Sequence, residues 1–325
     1  MDQSLSALID ELKAEPYVYI QPHNFPDHDA VASAYALRSF FRAMGITARL
    51  TYDGDIQRES LKRFISDLDI DIHPNADYDM TENDKIVIVD GCKYNKNVTD
   101  LIGDEVAVID HHQVTRPDDV PFSDIRSDYG ACSTIIGTYF REYQIPLDET
   151  TATAIMVGIS MDTHLLTRGV HMKDLEVYFE CYGIADISYV NSVLRNYIRI
   201  PDLQYFKYCI DHIDYYDRAA VCYFENGCGQ NLLGVISDFI LALEEIDFVV
   251  LCARNGDRVN FSVRSEVDCW DASKAIRYVL RDIGFGGGHR EMAGGVIKEA
   301  RSFDLRTMTH DLLSFLAESE SLASQ

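Results

Sequence analysis

The feature that most constrains this chain is an alternation in its first half, where short apolar runs are each followed by a stretch with helical spacing. Residues 17–22 (YVYIQP), 46–52, 85–90 (KIVIVD) and 105–110 (EVAVID) read as strands. After the first run, Val31, Ala34, Leu37, Phe41 and Met44 recur on one face of a helix. The pattern ESLKRFISDL follows the second run. Strands alternating with helices predict an α/β fold, a mostly parallel sheet with flanking helices. Further helical patterns lie near 130–143, 148–163, 171–182 and 186–197. A Tyr-rich stretch at 198–217 interrupts the rhythm, which then restarts. Strands are expected at 219–224, 247–254, 258–264 and 294–298, with helices at 231–245, 271–283 and 303–318. The organisation expected is a first domain over 1–190, a connection over 191–217 and a smaller mixed α/β domain over 218–325.

The length of 325 residues suits two domains, and 47% apolar residues supply the cores. The charge decides against one class of partner. With 29 Lys and Arg against 53 Asp and Glu, the net charge is −24, and no run of three basic residues occurs. Long nucleic acids are held through Lys and Arg on their phosphates, so none is expected here. No membrane association is expected either, because the most apolar windows, such as 246–253, fall far short of the roughly 20 residues of a span. The opening MDQSLSALIDELKAEP is an acidic amphipathic pattern, unlike a leader peptide. Eight cysteines without a C-x-x-C pair read as reduced thiols, which makes the cytoplasm the expected location.

Ligands of open parallel sheets gather at the carboxyl ends of the strands. Here the first strand runs into His23, Asp27 and Asp29, the third ends on Asp90, and the fourth ends on Asp110, His111 and His112. Each has an ordinary alternative. Asp27 or Asp29 could cap the helix that follows, and the two histidines could be plain polar residues at a strand end. Their joint placement on one edge favours a metal site, since crowded carboxylates repel unless cations neutralise them. Mixed imidazole and carboxylate donors suit Mn²⁺ or Fe²⁺ better than Mg²⁺.

The sequence IDHH at 109–112 resembles the signature of the DHH phosphoesterase family. HNFPDHDAVAS at 23–33, VDG at 89–91 and SMDTHLLTRG at 160–169 are similar to its other motifs, in the same order. GGGHREMAG at 286–294 resembles the glycine-rich motif of the DHH-associated domain. Where the fourth motif commonly reads D-T-G, this chain has His164. The resemblance implies two divalent metal ions, Mn²⁺ foremost, in a cleft between the two domains. His23, Asp27 and Asp90 would hold one; Asp29, Asp90, His111 and Asp162 the other, with Asp90 shared. Asp110 would orient an imidazole, and His112 would stabilise the transition state at phosphorus.

In the second domain, Arg264 and Ser265 resemble the family's R-S pair after a strand. Together with Gly287, Gly288 and His289 they are assigned to the substrate's far phosphate, Arg by two-pronged bonds and the glycines by exposed N–H groups. The resemblance implies hydrolysis of short oligonucleotides or small nucleotides, of oligoribonuclease or 3′-phosphoadenosine 5′-phosphate phosphatase type. The alternatives are a phosphatase of a cyclic dinucleotide or a small non-nucleotide phosphoester, or a non-catalytic nucleotide-binding module. A homodimer is compatible with all of them.

Overall fold

The computed structural model describes residues 4–56, 58–195 and 198–323. The chain divides into two compact units, Met1–Tyr197 and Ile198–Gln325.

The first unit is built on six parallel strands, β1 (Val18–Pro22), β2 (Ala48–Tyr52), β3 (Ile72–Pro74), β4 (Lys85–Val89), β5 (Asp104–Asp110) and β6 (Phe122–Ile125). Their order is β3-β2-β1-β4-β5-β6. The central strands β1, β4 and β5 are near-continuous apolar runs, as a sheet covered on both faces requires. Among the described residues of this unit the helices are α1 (Leu5–Leu12), α2 (His28–Ala43), α3 (Glu59–Asp67), α4 (Cys132–Glu142), α5 (Glu149–Asp162), α6 (Met172–Tyr182) and α7 (Ile187–Arg195). Their apolar faces share one large core with Val87, Val89 and Ile109. Ile86, Ile88 and Val108 face a smaller core closed by Cys92, Leu101 and Val120. Helix α5 is buried along most of its length and packs against α2, α4, α6 and α7. The edge strands β3 and β6 escape a reading by pattern because three or four residues, partly polar, carry no periodicity.

The second unit contains α8 (Leu203–His212), β7 (Asp214–Tyr216), β8 (Ala219–Phe224), α9 (Gln230–Leu241), β9 (Phe248–Asn255), β10 (Arg258–Ser265), α10 (Ala272–Leu280), β11 (Phe285–Gly288), β12 (Met292–Ile297) and α11 (Leu305–Ala323). Its sheet, in the order β11-β12-β10-β9-β8-β7, is mixed: β8 and β9 run parallel and the other pairs antiparallel. Helices α8 and α9 pack on one face, α10 and α11 on the other. The stretch 191–217 holds the end of α7, then α8 and β7; residues 196 and 197 lie outside the described residues. The glycine cluster is itself a strand. Gly286 pairs with Gly295 in β12, and a Cβ there would come within 2.9 Å of Ile276 on α10.

Candidate metal centre

In the first sheet the strand order reverses between β1 and β4, which opens a crevice at the carboxyl ends of these strands. His23 follows β1, Asp90 follows β4, and Asp110, His111 and His112 lie at the end of β5. Helix α2 adds Asp27 and Asp29 from its start, and α5 adds Asp162 from its last residue. The tertiary structure brings their donor atoms into three sets, each within 4.8 Å: His23, Asp27 and Asp90; Asp29, His111 and Asp162; and Asp90, His111 and His112.

Several of these residues are anchored before any ligand binds. Asp27 is the N-cap of α2, its Oδ1 accepting from the Ala30 N–H at 3.1 Å, so one carboxylate serves as both cap and cluster member. Asp29 is fully buried and accepts from the Cys132 N–H (2.7 Å) and the Ser133 N–H (3.1 Å) at the start of α4. A helix N-terminus is a favourable place for a carboxylate. His23 and His111 follow one plan. The Nδ1 of each is within hydrogen-bond distance of a backbone carbonyl, Asn24 at 2.9 Å and Tyr129 at 3.2 Å. With Nδ1–H donating, Nε2 presents a lone pair, and in both residues it faces Asp90.

The electrostatics fit a cationic occupant. His111 Nε2 lies 3.3 Å from Asp90 Oδ1 and 3.2 Å from Asp162 Oδ2. Yet His111 Nε2 and Asp90 Oδ1 are buried without hydrogen-bond partners. A lone pair facing two carboxylates is stable only with a proton or a metal ion between them. Burial, Asp90 and Asp162 push the Asp29 carboxyl well above its usual range. Burial, together with Asp27 and Asp90, lifts Asp162 to about 6 against the opposing pull of His111. Burial opposes the charged form of His111, but Asp162 and Asp90 hold its proton well above the usual imidazole range. Protons thus stand where divalent ions fit, and the imidazole and carboxylate donors suit ions of the Mn²⁺ type.

His112 is arranged differently. Asp110, fully buried, accepts from its backbone N–H at 3.1 Å and contacts its Nδ1 at 2.8 Å with the same oxygen. Its side chain is 44% exposed, which leaves the other ring nitrogen available to a ligand. The Asp110 carboxylate raises its pKa, against a smaller opposing effect of burial. Backbone strain gathers here as well. Asp90 has φ +52°, and His164, Leu165 and Leu166 just past Asp162 have φ +47°, +61° and +62°. His164, in place of the glycine common in the related motif, still adopts the left-handed conformation.

Two supports escaped the sequence reading. Asp174, at the start of α6, is fully buried and accepts from the N–H of Gly130 (2.9 Å), the N–H of His171 (2.6 Å) and Thr134 Oγ1 (2.5 Å). It thereby fastens the turn that carries the Tyr129 carbonyl and the start of α4 that holds Asp29. Gly158 in α5 lets the helix approach this point; a Cβ there would lie 2.2 Å from Ser133 Oγ and 2.6 Å from Asp29 Oδ1. A glycine inside an otherwise apolar helix was the available signal for the latter. For Asp174 local spacing offers only a capping role through the His171 N–H; the partners that tie it to the centre, Gly130 and Thr134, lie 44 and 40 residues away.

In the second unit, Arg264 is buried and turned toward α9, with Nε 2.5 Å from Asp238 Oδ1 and Nη1 donating to Ser262 Oγ and the Val263 carbonyl. Ser265 is buried and donates to the Val267 carbonyl. Gly287 is half-buried, whereas Gly288 and His289 are exposed at the end of β11.

Residues 17–159 match the DHH family N-terminal domain, and residues 217–318 match the DHHA1 domain. An uncharacterized protein of Methanocaldococcus jannaschii is 26% identical over 89% of this chain and 59% of its own length. A probable manganese-dependent inorganic pyrophosphatase of Lactiplantibacillus plantarum is 28% identical over 51% of this chain and 55% of its own. The cyclic-di-AMP phosphodiesterase PdeA of Listeria monocytogenes is 23% identical over 92% of this chain and 47% of its own. The chain thus spans about half of the length of the curated relatives it matches. Among solved structures, an exopolyphosphatase-related protein from Bacteroides fragilis superimposes with TM-score 0.78, 16% identity and 98% coverage of both chains. Exonuclease RecJ bound to manganese gives TM-score 0.53 at 14% identity, over 97% of this chain and 93% of that one. At these identities both show the fold.

Proposed function

The chain belongs to the DHH family with a C-terminal DHHA1 domain, and from that premise we propose that it is a manganese-dependent hydrolase of phosphoester bonds in short oligonucleotides or small nucleotides. The observation that carries this reading is the meeting of the buried Asp29 and Asp90 with the half-buried His23, Asp27, His111 and Asp162, in which Asp90 is common to the donor set with His23 and Asp27 and the donor set with His111 and His112. His23, Asp27 and Asp90 would hold one ion; Asp29, Asp90, His111 and Asp162 the other. What two divalent ions supply at such a site is a lowered pKa for water and neutralisation of charge on the attacking and leaving oxygens.

The chain's own residues account for the rest. The Asn24 and Tyr129 carbonyls fix the ring orientations of His23 and His111. Asp110 holds His112 by Nδ1, so that its other nitrogen donates a proton or a hydrogen bond to a phosphoryl oxygen as charge develops there. In the second unit we assign Gly287, Gly288 and His289 to the far end of the substrate. Arg264 and Ser265 act behind them, because the Arg264 donors are engaged by Asp238, Ser262 and Val263.

The match to a cyclic-di-AMP phosphodiesterase over 92% of this chain, against 51% for a pyrophosphatase, supports a dinucleotide-sized substrate over pyrophosphate. The deciding experiment is a Mn²⁺-dependent assay comparing dinucleotides, 3′-phosphoadenosine 5′-phosphate, cyclic dinucleotides, pyrophosphate and long single-stranded DNA. Turnover concentrated on the first three is expected. Binding of Mn²⁺ without hydrolysis of any of them would remove the enzymatic reading.

A further inference from the structure

Between His23 and Asp27 the chain places Asn24, Phe25 and Pro26, and Phe25 is costly to hold as it stands. Its φ is +53°, in the left-handed region, which strains a bulky side chain. The proline that follows steers position 25 toward extended backbone, which it does not adopt. Phe25 is also 53% exposed, so burial in the folded chain does little to offset the strain. The conformation is nevertheless enforced from two sides. The Phe25 N–H donates to the Asp53 carbonyl at 3.0 Å, just after β2, and the Asn24 N–H donates to the Asn97 carbonyl at 2.6 Å. Thr99 ties the two sides together. Its N–H donates to Asn24 Oδ1 (3.1 Å) and its hydroxyl to Asp53 Oδ2 (2.5 Å), while the hydroxyl accepts from Asn24 Nδ2 (2.9 Å). Gly54 completes the seat. A Cβ there would lie 2.8, 2.9 and 3.0 Å from Cδ1, Cε1 and Cγ of Phe25, so the ring rests across the bare backbone of Gly54.

We propose that Phe25 is the platform on which a nucleobase of the substrate stacks. The assignment rests on the nucleotide reading of the site given above. A strained, clamped and half-open aromatic ring beside a candidate metal centre is strain kept at a place where a ligand covers it. Phe25 is two residues from His23 and two from Asp27, hence at most about 7 Å of chain from each. That is the reach of one ribose between a phosphate at the metal centre and its base. The surroundings select a flat ring over an acyl chain. The residues that hold the loop, Asn24, Asp53, Asn97 and Thr99, are polar, and an acyl chain needs a longer apolar groove. Every base has a π-face, so the platform distinguishes nucleotides from base-free phosphates without selecting one base by hydrogen bonds.

The test is equilibrium binding to the full chain in Mn²⁺, by titration calorimetry, with adenosine 5′-monophosphate and ribose 5-phosphate as probes. The wild type is expected to bind the nucleotide on the order of 10–100-fold more tightly. In Phe25→Ala that preference should vanish through loss of nucleotide affinity, with Mn²⁺ affinity retained. Phe25→Trp should keep the preference, and its added emission should be quenched by the nucleotide and not by ribose 5-phosphate. The chain's own single tryptophan, Trp270, is buried, and the wild type supplies its baseline. Equal wild-type affinities, a preference that survives Phe25→Ala, or a Phe25→Trp emission indifferent to the nucleotide would each overturn the proposal. Loss of Mn²⁺ from Phe25→Ala would do so too, by making the residue a prop for the loop. A protein that shows the base preference but hydrolyses no nucleotide loses the catalytic reading alone. One that hydrolyses dinucleotides without the preference loses the platform alone.

Discussion

Asp90 follows β4 with φ at +52°, a conformation that costs a non-glycine residue of order 1 kcal/mol and persists where the surroundings enforce it. The turn aims its carboxylate at both His23 and His111. Asp90→Ala is therefore expected to abolish Mn²⁺-dependent hydrolysis and to remove at least one bound ion by titration calorimetry, with the circular dichroism spectrum retained. Undiminished turnover would refute the shared-ligand assignment. The neighbouring groups predict a pH effect. The folded protein stripped of metal holds protons on Asp29, Asp162 and His111 more tightly than the unfolded chain does. Stability from Asp162 is then fully present below about 4 and is lost as pH rises through about 6, with His111 extending the loss higher. Added Mn²⁺ competes with those protons, so the thermal shift it produces should grow with pH. Melting temperatures with chelator and with Mn²⁺, taken from about pH 5 to about pH 8, check both slopes.

Among the elements, α4, α5 and α6 do more than cover the sheet. The start of α4 holds Asp29, α5 delivers Asp162, and Asp174 on α6 ties the preceding turn in place. Asp174→Ala leaves the Gly130 and His171 N–H groups and the Thr134 hydroxyl without their acceptor, and is expected to weaken Mn²⁺ binding about 10–100-fold. Gly158→Ala should do likewise, with a stability loss of about 1–3 kcal/mol from overpacking beside Ser133 and Asp29. In the second unit, Arg264 joins β10 to α9. Its replacement by Ala should cost about 2 kcal/mol of stability, whereas His289→Ala should leave the melting temperature unchanged and raise KM for nucleotides. The reverse pattern would return substrate binding to Arg264.

For the whole molecule the net charge of −24 governs encounter. Anionic substrates approach an acidic protein against repulsion, and added salt screens it. The value of kcat/KM for a dinucleotide should therefore rise with ionic strength from a low-salt baseline, opposite to the fall seen when lysines and arginines hold a nucleic acid. A fall instead would reveal a basic path that the overall charge conceals. Among the described residues no helix is long and apolar enough to cross a membrane.

The alternation of apolar runs with helical spacing specified the parallel sheet, because period and length alone distinguish buried strands from amphipathic helices. The acidic and imidazole residues at the strand ends were legible for the same reason: their position follows once the strands are placed. The edge strands β3 and β6 and the inward turn of Arg264 were not, since each depends on a neighbour distant in sequence, and the strand formed by Gly286–Gly288 was not because glycines carry no apolar alternation. The sequence by itself determined the sheet and the kinds of side chain gathered at its edge. Only the tertiary structure decided how those side chains share Asp90, which carbonyls set their rings and which buried carboxylate, Asp174, fastens the assembly. The Asn24 carbonyl is a neighbour in sequence, but the bonds of His111 to Tyr129 and of Asp174 to Gly130 span 18 and 44 residues and are facts of packing that local pattern does not encode.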